Sequence, residues 1–345
     1  MRRSVHIHTF YRPSGFRVVA RGIHEALRRF GIPSFAYYGD VFSVAMVWLS
    51  GCARGEDLVV PVWHFGRAVA SIISGAPVKI AMYTFVEGDP IVDHVPKESC
   101  PAGAYALAPN SYVASKIARY FGSTYVVTPP MPEEVARYSE LLVKSIRIAC
   151  RDKDAVLCYV ANNVPRKGWH YLKPVLEALV REQGIKPCFV AVTNADIDSV
   201  YVDGARIIRI GLGGTCTDEV VASAIRASDV YVSLSTNEGF GVPIALSLLL
   251  GRIPVSVAAP SIVDTFGGLR IVTFPYRRVE TAEWLGEEVV EMYVYDPSDA
   301  ARAIARALDE RERVVEGEII MEARRVFVVD AQREIARKIE DLLSR

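Results

Sequence analysis

The sequence predicts an α/β protein with two doubly wound parallel sheets, and three observations carry that prediction. Runs of β-branched and aromatic residues alternate with helix-length amphipathic stretches from one end to the other, as expected when helices cover parallel sheets. With 345 residues and 51% hydrophobic content, the chain is too long for one ordinary α/β domain and can bury a core in each of two. A proline cluster, Pro129-Pro130-Met131-Pro132, interrupts the alternation.

In the first half, strands are expected at Val5–Phe10, Ser34–Tyr38, Leu58–Trp63, Val78–Thr84, Tyr105–Ala108 and Tyr125–Thr128. A second series is expected at Ala155–Val160, Cys188–Thr193, Arg206–Ile210, Val230–Leu234, Pro254–Ala258 and Leu269–Thr273. The division that follows is a first domain over residues 1–135, a charged, helical connection over 136–153 and a second domain over 154–315. Residues 316–345 form charged helices longer than the second sheet needs, which places them to cross back onto the first domain.

Composition narrows the function classes. Forty basic residues balance forty acidic ones at a pI near 7.0, so the broad positive field of sequence-independent nucleic-acid binding is missing. Met1-Arg2-Arg3-Ser4 runs straight into the first strand without a signal-peptide core. The longest apolar run, Val41–Leu49, is far shorter than the ~20 residues of a membrane span, and a cytoplasmic protein is expected. Six scattered cysteines without a CxxC pair read as buried free thiols. Scarce glutamine and abundant arginine fit a protein from a hot environment, where intracellular disulfides also occur.

The most informative stretch runs from Val230 through Ser235-Thr236-Asn237-Glu238-Gly239-Phe240-Gly241-Val242-Pro243 to Leu246. It reads as strand, glycine turn and helix, with Pro243 suited to a first helical turn. Free N–H groups at such a turn hold anions, and ligands of doubly wound sheets bind beyond the carboxyl ends of the strands. Glu238 is suited to accept hydrogen bonds from sugar hydroxyls.

Asn237-Glu238-Gly239-Phe240-Gly241-Val242-Pro243 resembles the signature of the glycosyltransferase group 1 family. Val164-Pro165-Arg166-Lys167-Gly168 resembles that family's phosphate-binding segment, at the expected place after the first strand of the second domain. The segment 207–227, with Gly211-Leu212-Gly213, more weakly resembles the part that contacts the nucleotide base. The resemblance covers nearly the whole chain. It implies the GT-B fold, two Rossmann-like domains facing a cleft that holds the active site, and a retaining glycosyltransferase of the hexosyltransferase class. The donor would be a nucleotide-diphosphate sugar and the acceptor a hydroxyl on a glycan, lipid or small molecule, with no further cofactor and no metal.

The family's residue roles then fall on Glu238 for donor-sugar hydroxyls and Lys167 for the diphosphate, with Arg166 beside it. Gly239, Phe240, Gly241, Val242, Leu212 and Leu246 fall on the donor side. Ser14-Gly15 resembles the glycine loop facing the donor phosphates, and Glu87 and His64 are placed as acceptor or sugar contacts. Two departures stand out. Leu246 occupies the position of a glutamate that holds the ribose, and Ala161 and Asn162 stand where the family carries an arginine.

Other features point elsewhere. His6 and His8 share a strand face, as a metal pair would, but no third ligand is placed by sequence. Asp196-Ile197-Asp198 imitates a metal-binding DxD in a loop of the second domain. Arg17, Arg21, His24 and Arg28 share one helix face, either solvated or facing an anionic lipid acceptor. Gly211-Leu212-Gly213-Gly214 faintly resembles a dinucleotide loop, which leaves a dehydrogenase as one rival. A non-catalytic sugar-nucleotide or glycan-binding protein is another, and a phosphorylase or epimerase on the same fold is a third.

Overall fold

The computed structural model describes residues 3–10, 14–40, 42–54, 56–92, 104–211 and 216–345, the side chains of Phe10 and Trp48 excepted. The chain forms two compact units. One holds Met1–Glu133, Thr281–Glu291 and Arg325–Arg345, and the other holds Glu134–Glu280 and Met292–Arg324.

The first unit begins β1 (Val5–Phe10), α1 (Gly15–Arg29), β2 (Ser34–Gly39), α2 (Ser43–Leu49), β3 (Leu58–Pro61), α3 (Arg67–Ser74), β4 (Lys79–Tyr83) and β5 (Gly88–Pro90). It continues β6 (Ala104–Ala108), α4 (Ser111–Ile117) and β7 (Ser123–Val126). Its parallel sheet has the order β2-β1-β3-β4-β6-β7. Strand order reverses between β1 and β3, so the loops after these two strands flank the crevice at which doubly wound sheets bind ligands. The apolar residues of β3 and β4 are buried because helices cover both faces. Ser14 caps α1, its Oγ accepting from the Arg17 N–H at 3.3 Å, and Arg28 and Arg29 sit favourably in the last turn.

The second unit runs α5 (Glu140–Ala149), β8 (Ala155–Ala161), α6 (Leu172–Gln183), β9 (Pro187–Thr193), β10 (Arg206–Ile210), α7 (Asp218–Ala227) and β11 (Val230–Val232). It continues α8 (Val242–Leu249), β12 (Ile253–Val257), α9 (Pro260–Phe266) and β13 (Val272–Phe274). The sheet order is β10-β9-β8-β11-β12-β13, with β8 and β11 paired in parallel at the switch point. β13 starts later than the apolar run from Leu269, because Leu269 donates its N–H to the Phe266 carbonyl in a turn at 2.8 Å.

After β13 come β14 (Arg278–Trp284) and β15 (Glu288–Val294), which with β5 make a small third sheet absent from the sequence-based expectation. α10 (Pro297–Arg311), α11 (Glu316–Arg324), a π-helical turn over Arg325–Asp330 and α12 (Ala331–Ser344) close the chain. Within the first unit α12 lies against α1, where Arg29 Nη1 donates to Gln332 Oε1 at 3.2 Å.

The expectation of free thiols fails at one pair. The end of α5 and the start of β9 bring Cys150 and Cys188 to a Cα separation of 5.5 Å, and they are bonded. Cys158 and Cys216 are free and buried and Cys52 is free and exposed, while Cys100 lies outside the described residues. Among the described residues no helix is long and apolar enough to cross a membrane.

Candidate active site

In the second unit the two switch-point strands carry the two motifs. β8 ends at Ala161 and leads through Pro165-Arg166-Lys167, a single 3-10 turn, to Gly168. Gly168 has φ +71°, and a Cβ there would stand 1.8 Å from the Leu234 carbonyl oxygen, so only glycine lets this loop lie on the end of β11. β11 leads through Ser235 to Glu238 and then to Gly241, whose φ of +88° starts α8 with Pro243 in its first turn. Gly239 does not adopt a left-handed backbone, so of the two motif glycines Gly241 is the one whose conformation requires glycine.

The loops are tied together. The Thr236 N–H and hydroxyl both donate to the Arg166 carbonyl, at 2.8 and 3.0 Å. Tyr159 donates its hydroxyl to the Lys167 carbonyl at 2.8 Å, and Tyr295 donates to the Leu234 carbonyl at 2.8 Å. On this frame Lys167 Nζ donates to both carboxylate oxygens of Glu238 at 2.6 Å, and Ser235 Oγ donates to Glu238 Oε1 at 2.7 Å. Ser261, in α9, donates to the Glu238 carbonyl. The two side chains are only 16% and 13% exposed, so the charges are largely withdrawn from water but still reachable.

Burial alone would raise the Glu238 pKa. The Lys167 ammonium, the Arg166 guanidinium and the hydrogen bonds from Lys167 and Ser235 outweigh it and hold the carboxyl below its usual range. Tyr159 is shifted the other way, its phenol kept protonated by burial and by the nearby Glu238 carboxylate. The site therefore presents an ionised carboxylate, two cations and a glycine-capped helix start, a set suited to a polyhydroxylated ligand carrying phosphate.

The other second-unit candidates divide. Arg166 and Val242 are half-buried at the loop. Phe240 is 2% exposed and its ring stacks on Phe266 with centroids 5.7 Å apart, so its side chain belongs to the core. Leu246 is 3% exposed on α8, whose length carries no charged residue. Leu212 lies outside the described residues. Asp198, of the DxD look-alike, pairs with Arg209 at 2.9 Å. Among the described residues no group of three or more His, Cys, Asp and Glu side chains is arranged to hold a metal ion.

In the first unit Gly15 opens α1 after β1, and His64 follows β3, so both lie at that sheet's switch point. His64 Nε2 is 3.2 Å from Glu288 Oε2, and its ring meets Trp284 edge-on at 5.3 Å. Glu288 has a fully buried side chain and also accepts from the Glu87 N–H. Glu87 is buried, and its carbonyl accepts from the Glu291 N–H at 3.1 Å and the Tyr112 hydroxyl at 3.2 Å. One carboxylate that sequence reasoning missed thus joins both residues proposed for this region. A signal was present: Leu285-Gly286 stands between two strand-length runs and forms a tight turn with φ +54° and +69°.

The histidine pair of β1 is structural. His6 bonds Ser4 at 2.9 Å and Tyr37 at 3.0 Å and lies near Asp57, while His8 bonds Ser43 at 2.9 Å. Burial lowers both pKa values, that of His8 to about 4.

No protein-family profile matches this sequence. A candidate glycosyltransferase of Acidianus filamentous virus 2 is 33% identical over 78 residues, a segment spanning 23% of this chain and 24% of that protein. Solved structures match along nearly the full length. HepE of Anabaena, solved with UDP and glucose, matches with TM-score 0.66 and 14% identity over 99% of both chains. Sucrose-phosphate synthase of Thermosynechococcus elongatus matches with TM-score 0.69 and 12% identity over 99% of this chain and 98% of its own. The catalytic domain of starch synthase IV of Arabidopsis thaliana, bound to ADP and acarbose, matches with TM-score 0.67 and 12% identity over 99% of both. The chain has the GT-B fold of these structures.

Proposed function

We propose that this GT-B chain is a retaining glycosyltransferase, moving a sugar from a nucleotide-diphosphate sugar to an acceptor hydroxyl on a glycan, lipid or small molecule. The observation that carries the reading is the pairing of Lys167 with Glu238 on the loops after β8 and β11, the switch-point strands where α/β sheets bind ligands. The ligands of HepE and starch synthase IV support a nucleotide-diphosphate donor. Residues 1–135 form the acceptor half and residues 154–315 the donor half, while of the C-terminal helices Arg325–Arg345 belong to the first unit and α11 to the second.

On donor binding, the diphosphate takes up the Lys167 ammonium with help from Arg166, and Glu238, kept ionised, turns to the sugar hydroxyls. The bond between the anomeric carbon and the β-phosphate oxygen breaks with its electron pair on the phosphate. The cations stabilise that charge as it develops. The acceptor oxygen bonds the anomeric carbon on the same face, and its proton passes to the departing diphosphate. His64 and Glu87 contact the acceptor or the sugar. We place the enzyme in the cytoplasm of a cell from a hot environment, in keeping with the Cys150–Cys188 disulfide and the arginine-rich ion pairs.

A non-catalytic sugar-nucleotide-binding protein is the second reading, favoured by the apolar, buried Leu246 where a ribose-binding glutamate would stand. Incubation with a panel of labelled nucleotide sugars and acceptors, followed by NMR of the product anomer, tests both. A retained product supports the enzyme, an inverted one overturns its mechanism, and binding without turnover supports the alternative.

A further inference from the structure

The hairpin of β14 and β15 brings three carboxylates to the first unit, which includes Thr281–Glu291. β15 pairs antiparallel with β5, the short strand after β4, with Glu288 opposite Pro90 and Val290 opposite Gly88. Glu287 meets the start of α3, which follows β3. Glu288 accepts from the Glu87 N–H, after β4. Glu291 accepts from Lys116 and the Tyr112 hydroxyl on α4, which follows β6. The hairpin therefore lies across the carboxyl ends of three neighbouring strands, the end at which such sheets bind ligands.

The seat is shaped for it. A Cβ on Gly88 would collide with the Val289 carbonyl oxygen, and one on Gly66 with a carboxylate oxygen of Glu287. The Ile91 N–H donates to the Glu287 carbonyl at 2.8 Å, which fixes the backbone of that residue. α3 has no acidic residue in its first turn, and Gly66 at its N-cap has no side chain to cap it. Glu287 takes that place from 219 positions away, accepting from the Ala68 N–H at 3.1 Å. Arg67 opens the helix and His64 lies just before it, so this edge of the crevice attracts negative charge, and a carboxylate of the chain already sits there.

We propose that this hairpin is a specificity element of the acceptor half, in which Glu287 excludes acceptors carrying phosphate or carboxylate beside α3 and leaves those uncharged at that end. An incoming anion would meet a fixed carboxylate at the very N–H it needs, and like charges so placed discriminate strongly between partners. The inference deepens the proposed function and rests on it for the role of the crevice.

Two measurements test it. In a transfer assay over a panel of neutral sugars and their phosphates, the native chain favours the neutral acceptors at least roughly tenfold, and Glu287→Ala narrows that preference at least roughly fivefold. The second measurement needs no turnover. With Lys167→Ala in both chains to silence the phosphate loop of the second unit, inorganic phosphate shifts the Ala68 amide resonance saturably in Glu287→Ala. The same resonance stays in place in the chain that keeps Glu287. Should Glu287→Ala loosen the hairpin, Glu287→Gln keeps the shape and moves both measurements in the same direction by less. Equal native use of neutral and phosphorylated acceptors overturns the proposal, as does an unchanged preference in the folded variants. So does an Ala68 amide that phosphate shifts equally, or not at all, in the two chains. Transfer to no acceptor, with the Ala68 difference present, removes the glycosyltransferase reading and supports the exclusion of anions at α3.

Discussion

Lys167 Nζ bonds both carboxylate oxygens of Glu238 at 2.6 Å, across 71 positions of sequence, on two loops that are themselves bonded together. Each ion neutralises the other here, and under the proposed function a sugar diphosphate would give each its own partner. Glu238→Gln keeps hydrogen bonding to Lys167 but removes the charge. Transfer at saturating donor should fall by at least roughly a hundredfold with the melting temperature little changed, since the lost contact is a charge-assisted one to the reacting sugar. Unchanged turnover in the folded variant would remove Glu238 from the reaction.

Lys167→Ala should weaken nucleoside diphosphate binding roughly ten- to a hundredfold while leaving nucleoside binding alone, because a hydrogen bond to a charged group contributes about 1.5 to 3 kcal/mol. Calorimetry with both ligands checks this, and an equal loss for the two would point to general damage to the loop.

Glu288→Ala removes the fully buried carboxylate that holds the Glu87 N–H and stands beside His64. A drop in stability of about 1 to 3 kcal/mol is expected from leaving the buried Glu87 N–H without its acceptor. Chemical denaturation measures it. A loss under about 0.5 kcal/mol, the range of ordinary surface substitutions, would mean the hairpin is not anchored there.

Leu246→Glu places a charge at a 3% exposed position on an uncharged helix. Thermal melts should show marked destabilisation without tighter ribonucleotide binding. A stable variant with raised affinity for UDP over its 2′-deoxy analogue would show instead that residue 246 faces a ribose.

His8 gives a pH prediction. Its folded pKa, about 4, lies below the ordinary 6.5, so the unfolded chain binds more protons between those values. Its contribution is fully present above pH 6.5 and is lost as the pH falls toward 4. His8→Asn should flatten that part of the stability curve, as followed by urea denaturation across the window. An unaltered slope would mean His8 is not held neutral by burial.

The inner strands of the two parallel sheets were legible because strands buried on both faces need uninterrupted apolar runs, as in Ala155–Ala161 and Pro187–Thr193, while the partly exposed edge strands β2, β7 and β10 were legible from their β-branched and aromatic residues. β14 escaped notice because six of its seven residues are exposed, and Arg278, Glu280 and Glu283 interrupt the apolar pattern that marks a strand. Lys167 and Glu238 stood out through their glycine-bearing motifs. Their mutual contact did not, since it depends on how β8 and β11 pair, and Glu288 was hidden in the overlooked hairpin. Phe240 and Leu246 have buried side chains, because sharing a motif does not decide which way a side chain points.

The most direct test of the account is a transfer assay with labelled nucleotide sugars on the native chain and Glu238→Gln in parallel, following released nucleoside diphosphate and the product anomer together. The account predicts diphosphate release matched to a product of retained configuration in the native chain, and neither above background in the variant. Release and transfer at equal rates in the two proteins, or no turnover of a broad donor panel by a native chain that binds UDP, would contradict it.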